Sequence, residues 1–440
     1  MSAAQMASTP VADERVLPRA YAVMVMLFLF QTLNFFDKLV FGLSAGQIID
    51  ELHITRADFG KIGSSFFLLF SLTGTLVGLF ATKRFKSKWI IAVLALVWSA
   101  AQLPIYFTGM FTMLLTTRII LGAGEGPGLP SALHACYDWF PANKRSLPSA
   151  VILQGISAGF LIGGPFLNAI ILHYGWRFAF LACGVMSIVW LLGWLFIGGT
   201  GPYAATKEEA ADTSRNVPAA MLWLDPTIVG VMIMSFMSYW VVGMAAVWLP
   251  QFLQKGLGYA QSDVGWIISG VFAFQSPLLL AGSWVCQRMQ LRGVRPRIAL
   301  GHSSMIALLA SGIALVASVH VEGPLQLALV AIAFAAPSLT TIFGPVLLGA
   351  IAPPAQRGVL IVVIYSANAT SALLSNYLTG VVVDASGADV HQGFVNAMTM
   401  SGIALLIGAL SCLLLIFPDR TAARFARYAD RHSGSMETQS

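Results

Sequence analysis

Charge is what this chain has least of. Only 10% of its 440 residues are Asp, Glu, Lys or Arg, where soluble domains carry about 25%. So few charges cannot clothe a water-exposed surface, and a soluble domain is excluded. Cysteine pairing is missing as well. Cys136, Cys183, Cys286 and Cys412 are scattered and show no CxxC spacing, which excludes a zinc framework and leaves them as small packing residues. The seven histidines form no HxxxH or HExxH cluster, so no metal is expected. No phosphate-binding loop is present, which argues against direct use of ATP. No nucleophile and base are arranged recognisably, so neither an enzyme nor a cofactor is expected. Short alternating segments of the kind that build membrane barrels are absent too.

What is present is long apolar runs. Hydrophobic residues make up 57% of the chain, and about 20 apolar residues cross a bilayer as one helix. Twelve spans are predicted: 19–47, 57–82, 88–108, 110–137, 146–172, 175–198, 224–254, 262–288, 296–318, 323–350, 357–384 and 391–417. The polar stretch around Lys207-Glu208-Glu209 divides them six and six. The expected organisation is an all-α membrane protein: a first six-helix bundle over 1–198, a cytoplasmic linker over 199–221, a second bundle over 222–417 and a cytoplasmic tail over 418–440. Residues 1–20 lack the basic start and cleavage pattern of a secretory signal, so the first helix itself is expected to direct the chain to the membrane.

The net charge is +6. Its distribution reads as topology and argues against a nucleic-acid partner. Arg15, Arg19, the cluster Lys83 to Lys88, Lys144, Arg145, Lys207, Arg215, Arg288 to Arg297, Arg357 and Arg420 to Arg431 all fall on one side. The opposite loops hold only Arg56, Lys61, Arg177 and Lys255. The positive-inside rule makes both termini cytoplasmic. The halves also echo each other. Gly78 to Arg84 resembles Gly282 to Arg288, and Pro141 to Arg145 resembles Pro353 to Arg357, at offsets of 204 and 212 residues. Two similar offsets point to a parallel duplication, as in transporters whose two bundles rock about a site at mid-membrane.

Four charges lie clearly inside the predicted spans, away from their ends: Asp37, Lys38, Arg118 and Glu125. A lone charge at mid-bilayer costs on the order of 3 kcal/mol, so such residues face protein or a water-filled path and are functional candidates. Arg118 and Glu125 are seven residues apart. That is nearly two turns, so they share a face with Cα atoms roughly 10 Å apart. Asp37 and Lys38 are adjacent and diverge by about 100°, so each needs a partner elsewhere. A fixed structural ion pair is the alternative reading for each.

At these residues the chain resembles the major facilitator superfamily, and more closely its anion:cation symporter branch, which includes galactonate and other organic-anion transporters. Asn34-Phe35-Phe36-Asp37-Lys38 carries the resemblance. So do Arg118, Gly122, Glu125, Gly126 and Pro130, then Trp139-Phe140-Pro141, Lys144-Arg145 and Gly175 to Phe180. It is strongest over 20–200. Lys38 stands where the branch commonly has Arg, and Thr82 and Cys286 stand where the superfamily's loop signature has Asp. The resemblance implies proton coupling by Asp37 and Glu125, anion binding or acid pairing by Lys38 and Arg118, and a monomer in the bacterial inner membrane. It also implies gating loops, here Lys83, Arg84, Arg145, Arg288 and Arg357.

The four charges sum to zero when ionised. A substrate carboxylate breaks that balance, and one bound proton restores it. Glu125 is the expected proton carrier, released when an arriving anion draws Arg118 away. Neutral contacts are expected from Gln154, Tyr239, Gln275, Tyr365 and Asn368, although polar groups in a membrane also serve as interhelix glue. The expected function is import of a small organic anion, a sugar acid or other carboxylate, with protons. An exchanger or exporter of the same fold, and a non-transporting ligand sensor, remain open at this point.

Overall fold

The computed structural model describes residues 17–77, 84–108, 110–141, 144–203 and 217–437. In the first half the main helices are α1 (Pro18–Leu43), α2 (Arg56–Leu76), α3 (Ser87–Gln102), α4 (Phe111–Glu125), α5 (Gly128–Trp139), α6 (Ser146–Tyr174) and α7 (Trp176–Ile197). In the second they are α8 (Pro226–Gln251), α9 (Gln261–Leu291), α10 (Ser303–Ser318), α11 (Pro324–Ala335), α12 (Ser338–Ile351), α13 (Pro354–Ala385) and α14 (Val390–Leu415). A last helix, α15 (Pro418–Glu437), occupies most of the predicted tail. No strand occurs among the described residues.

Among the described residues, eleven helical stretches are long and apolar enough to cross a membrane. The twelfth predicted span is present as α4 and α5, which meet at Gly126-Pro127. Proline lacks the amide hydrogen that a continuous helix needs, and Arg118 and Glu125 dilute the apolar run. The second-half counterpart, α11 and α12, breaks at Ala336-Pro337 in the same way.

Backbones approach closely where glycine removes a side chain. A Cβ on Gly122 would lie 1.8 Å from the Phe66 carbonyl oxygen, and one on Gly126 would lie 2.0 Å from that of Phe70. These two glycines, one turn apart, seat α4 directly on α2. Small residues serve membrane helices in this way because dispersion contacts replace the hydrophobic drive.

The halves meet along α1 and α8, α2 and α13, and α6 and α9. Their cross-half bonds gather at the end opposite the chain termini. There Asp384, near the end of α13, accepts hydrogen bonds from the amides of Arg56 (3.1 Å) and Ala57 (2.6 Å) at the start of α2. Asn168 of α6 donates to the Gln261 carbonyl at 2.8 Å, and the Gln261 amide donates back to Asn168 Oδ1 at 2.7 Å. Deeper in, Ser64 Oγ donates to the Leu373 carbonyl at 2.8 Å. Phe160 stacks on Phe272 with centroids 3.6 Å apart.

Candidate functional site

Polar side chains enter the middle of α1 at Gln31, Asn34, Asp37 and Lys38, all on a helix that is otherwise mostly apolar. The divergence of neighbouring residues sends Asp37 and Lys38 into different surroundings. Lys38 turns toward α4, where its ammonium forms a direct ion pair with Glu125. It also donates to Asn34 Oδ1, one turn back, at 2.5 Å. The rings of Phe35 and Phe66 lie 4.6 and 5.3 Å from the ammonium. Their negative faces compensate part of its lost hydration. The Glu125 side chain is fully buried, and its Oε1 has no hydrogen-bond partner.

Arg118 sits two turns earlier on α4, between the rings of Phe41 (4.3 Å) and Phe180 (5.3 Å). Its Nη1 donates to the main-chain carbonyl of Asp37 at 3.0 Å. Its Nε and Nη2 have no partner, although the residue is only 3% exposed. Nε and Nη2 together form the side-on fork of a guanidinium, which accepts a carboxylate through two parallel bonds. Lys38 and Arg118 both line a cavity between α1, α2 and α4 of the first half and α8 of the second.

Asp37 departs from expectation. Its carboxylate makes no ion pair with Arg118, which touches only its carbonyl. The side chain turns instead into the interior of the first half, beside Gln102 of α3 and Cys183 of α7. Neither of its oxygens makes a hydrogen bond of ordinary geometry. Glu125 likewise takes Lys38 and not Arg118 as its partner. Arg118, expected to hold Glu125 until an anion arrives, is thus replaced in the pair by Lys38.

Residues 27–235 and 231–432 each match the family model of the Major Facilitator Superfamily. This chain belongs to the major facilitator superfamily. It is 26% identical over 270 residues to a hexuronate transporter of Bacillus subtilis (strain 168), a match covering 60% of this chain and 63% of that one. It is also 26% identical over 258 residues to a probable sulfoacetate transporter of Cupriavidus necator, covering 56% and 60% of the two chains. The chain thus matches less than two thirds of the length of these relatives. Among solved structures, it is similar in fold to a bacterial homologue of the human lysosomal transporter Spinster in an inward-facing, unoccupied conformation. The TM-score is 0.76 at 18% identity, with 93% of this chain and 98% of that one covered.

Within this superfamily fold the remaining candidates divide. Gln154 of α6 lies between the halves, where its Oε1 accepts from Ser276 Oγ of α9 at 3.2 Å. Tyr239 of α8 and Tyr365 of α13 adjoin one another, and Tyr365 is 48% exposed. Gln275 is instead bonded to Ser338 within the second half. Asn368, with its amide nitrogen turned toward the neighbouring carbonyls, donates to Ser235 and Ile364, both at 3.3 Å. Both amides tie second-half helices together, as expected where no water can satisfy a polar group.

The gating residues are described only in part. Lys83 lies outside the described residues, as does the side chain of Arg357. Arg84 is exposed. Arg145 folds back on the Phe140 and Tyr137 carbonyls at 3.0 and 3.1 Å, and Arg288 lies 5.5 Å from the Trp284 ring. Asp384 was missed by sequence reasoning. In the sequence it is the last residue of the predicted span 357–384, and only the packing of α13 on α2 gives it a task. Cys183 was legible as a packing residue, and all four cysteines are buried free thiols.

Proposed function

We propose that this member of the superfamily is a secondary active transporter that imports a small organic anion with protons by alternating access. One observation carries the reading. Arg118 is buried at the meeting of the halves with two donors unpartnered, beside a Lys38–Glu125 pair that one proton would dismantle. A buried guanidinium edge without an acceptor is costly, and an anionic substrate supplies the acceptor. The anions in the relatives' names, a hexuronate and sulfoacetate, support the same class.

The coupling follows from charge. A proton placed on Glu125 neutralises the partner of Lys38, and the freed ammonium turns to the arriving carboxylate. Substrate and proton therefore each favour the other's binding, as linkage requires. Asp37, buried without a counter-ion, is the second proton carrier. The bundles 1–198 and 222–417 rock about this site, joined by the linker 199–221. The cross-half bonds at the end opposite the termini fit a state closed there. The basic loops put both termini in the cytoplasm, with the monomer in a bacterial inner membrane.

Glu125→Gln tests the coupling. Gln is isosteric and cannot cycle a proton. The variant should still exchange labelled anion between the two sides of a liposome, yet lose accumulation driven by a proton gradient. Accumulation at the original level would rule out Glu125 as the carrier.

A further inference from the structure

We infer that the transported anion is a carboxylate with one charged head and a hydroxyl-poor, apolar body, in preference to a sugar acid. This rests on the transport reading above and names the substrate class of the same site.

The charge count gives the single head. Of the two cations lining the cavity, Lys38 already holds Glu125. Arg118 alone has an unpartnered side-on fork, Nε and Nη2. One fork matches one carboxylate. When a proton releases Lys38 from Glu125, the ammonium reinforces that same head.

The walls give the body. Apart from Lys38 and Arg118, the cavity is lined by Phe41, Phe66, Phe67 and Val247, with one alanine and two glycines. None of these side chains carries a hydroxyl, amide or carboxylate. Three polar side chains on the helices around the cavity donate to backbone, although Asn376 Oδ1 has no partner. Ser64 donates to the Leu373 carbonyl at 2.8 Å. Ser371 donates to the Phe236 carbonyl at 2.5 Å. Asn376 donates to the carbonyls of Gly243 and Ala372 at 3.3 and 2.9 Å. A sugar acid would bring several hydroxyls against these walls and exchange water for nothing. Discrimination against unmatched polar groups is steep because each must be desolvated without return. An apolar or aromatic body loses nothing on entering, and ring faces such as Phe66 and Phe67 offer it stacking contacts.

The test titrates the full chain in detergent with benzoate and with galacturonate, both monocarboxylates, the second bearing hydroxyls. The readout is the anion concentration that half-saturates the rise in melting temperature; it needs neither proton coupling nor a bilayer, which neutral benzoic acid crosses unaided. Benzoate should half-saturate at a concentration at least about tenfold lower, as expected when hydroxyls meet a wall without partners. Val247→Thr, which places one hydroxyl in the wall at nearly constant volume, should narrow that ratio. Galacturonate binding as well as benzoate, a ratio unmoved by Val247→Thr, or no response to benzoate would overturn the substrate class and leave anion transport standing. No response to any small carboxylate would overturn the transport reading and this inference with it.

Discussion

Arg118 and Lys38 carry the same charge and do different work. Lys38 is a point charge paired with Glu125, which under the proposed coupling it leaves for a substrate. Arg118 is pinned through one nitrogen to the Asp37 carbonyl, which leaves its Nε and Nη2 without a partner. That difference leads to a prediction. Arg118→Lys keeps the charge and loses the planar fork, so the half-saturation concentration for the transported anion should rise by about tenfold or more, the value of one charge-assisted bond. Uptake titrations against substrate measure it, and unchanged half-saturation would remove the fork from the binding step. Four charges inside apolar runs were legible in the sequence, because a membrane makes any intramembrane charge conspicuous. Their pairing was not. Helical spacing puts Arg118 and Glu125 on one face, and it cannot say which of the two Lys38 meets. Nor does it show that Asp37 turns inward to Gln102 and Cys183, since that depends on how α1 is rotated against α3 and α7.

Among elements, α2 makes the most consequential contacts. One of its faces receives the glycines of α4, and its first turn is capped from the other half. Gly122→Val would drive a branched side chain into the Phe66 carbonyl, which lies 1.8 Å from where a Cβ would stand. Overpacking of a tight contact typically costs about 1–3 kcal/mol, so this variant should melt several degrees lower in detergent, with Glu125 displaced from Lys38. Equal melting temperatures would mean that α4 can move off α2 freely. The Asp384 cap belongs to the same scale. An N-cap acceptor is worth about 1 kcal/mol, and this one bridges the halves. Asp384→Ala should therefore shift the population toward opening at that end by roughly fivefold. Spin labels at Asp50 and Ala388 would show a longer distance gaining weight, and an unaltered distribution would show that the cap does not hold the end closed. The breaks in α4–α5 and α11–α12 fall inside two spans expected to be continuous, at Gly126-Pro127 and Ala336-Pro337. The cap was not legible in the sequence, because residues 328 positions apart in the chain meet only in the folded protein.

At the scale of the whole molecule, the fold was the most legible part. Runs of apolar residues, a polar break after the sixth and a one-sided distribution of arginine and lysine are set by the bilayer, and the bilayer admits few solutions. The structure adds where the halves touch, which the sequence leaves open because many arrangements bury the same apolar faces. It also separates the neutral polar candidates. Gln275 and Asn368 join helices within their own half, while Gln154 and Tyr365 stay near the interface. The site that results is assembled almost wholly by the first half, with α8 closing it.

Coupling of anion entry to proton entry is the claim on which the rest depends, and internal pH reports it directly. The protein is reconstituted in liposomes holding a pH-sensitive dye, with no imposed potential, and carboxylates are added outside one at a time. At least one carboxylate should acidify the interior in step with its own uptake, and Arg118→Ala should abolish both signals. Labelled carboxylate accumulating while the internal pH stays constant would contradict proton symport and leave anion exchange in its place.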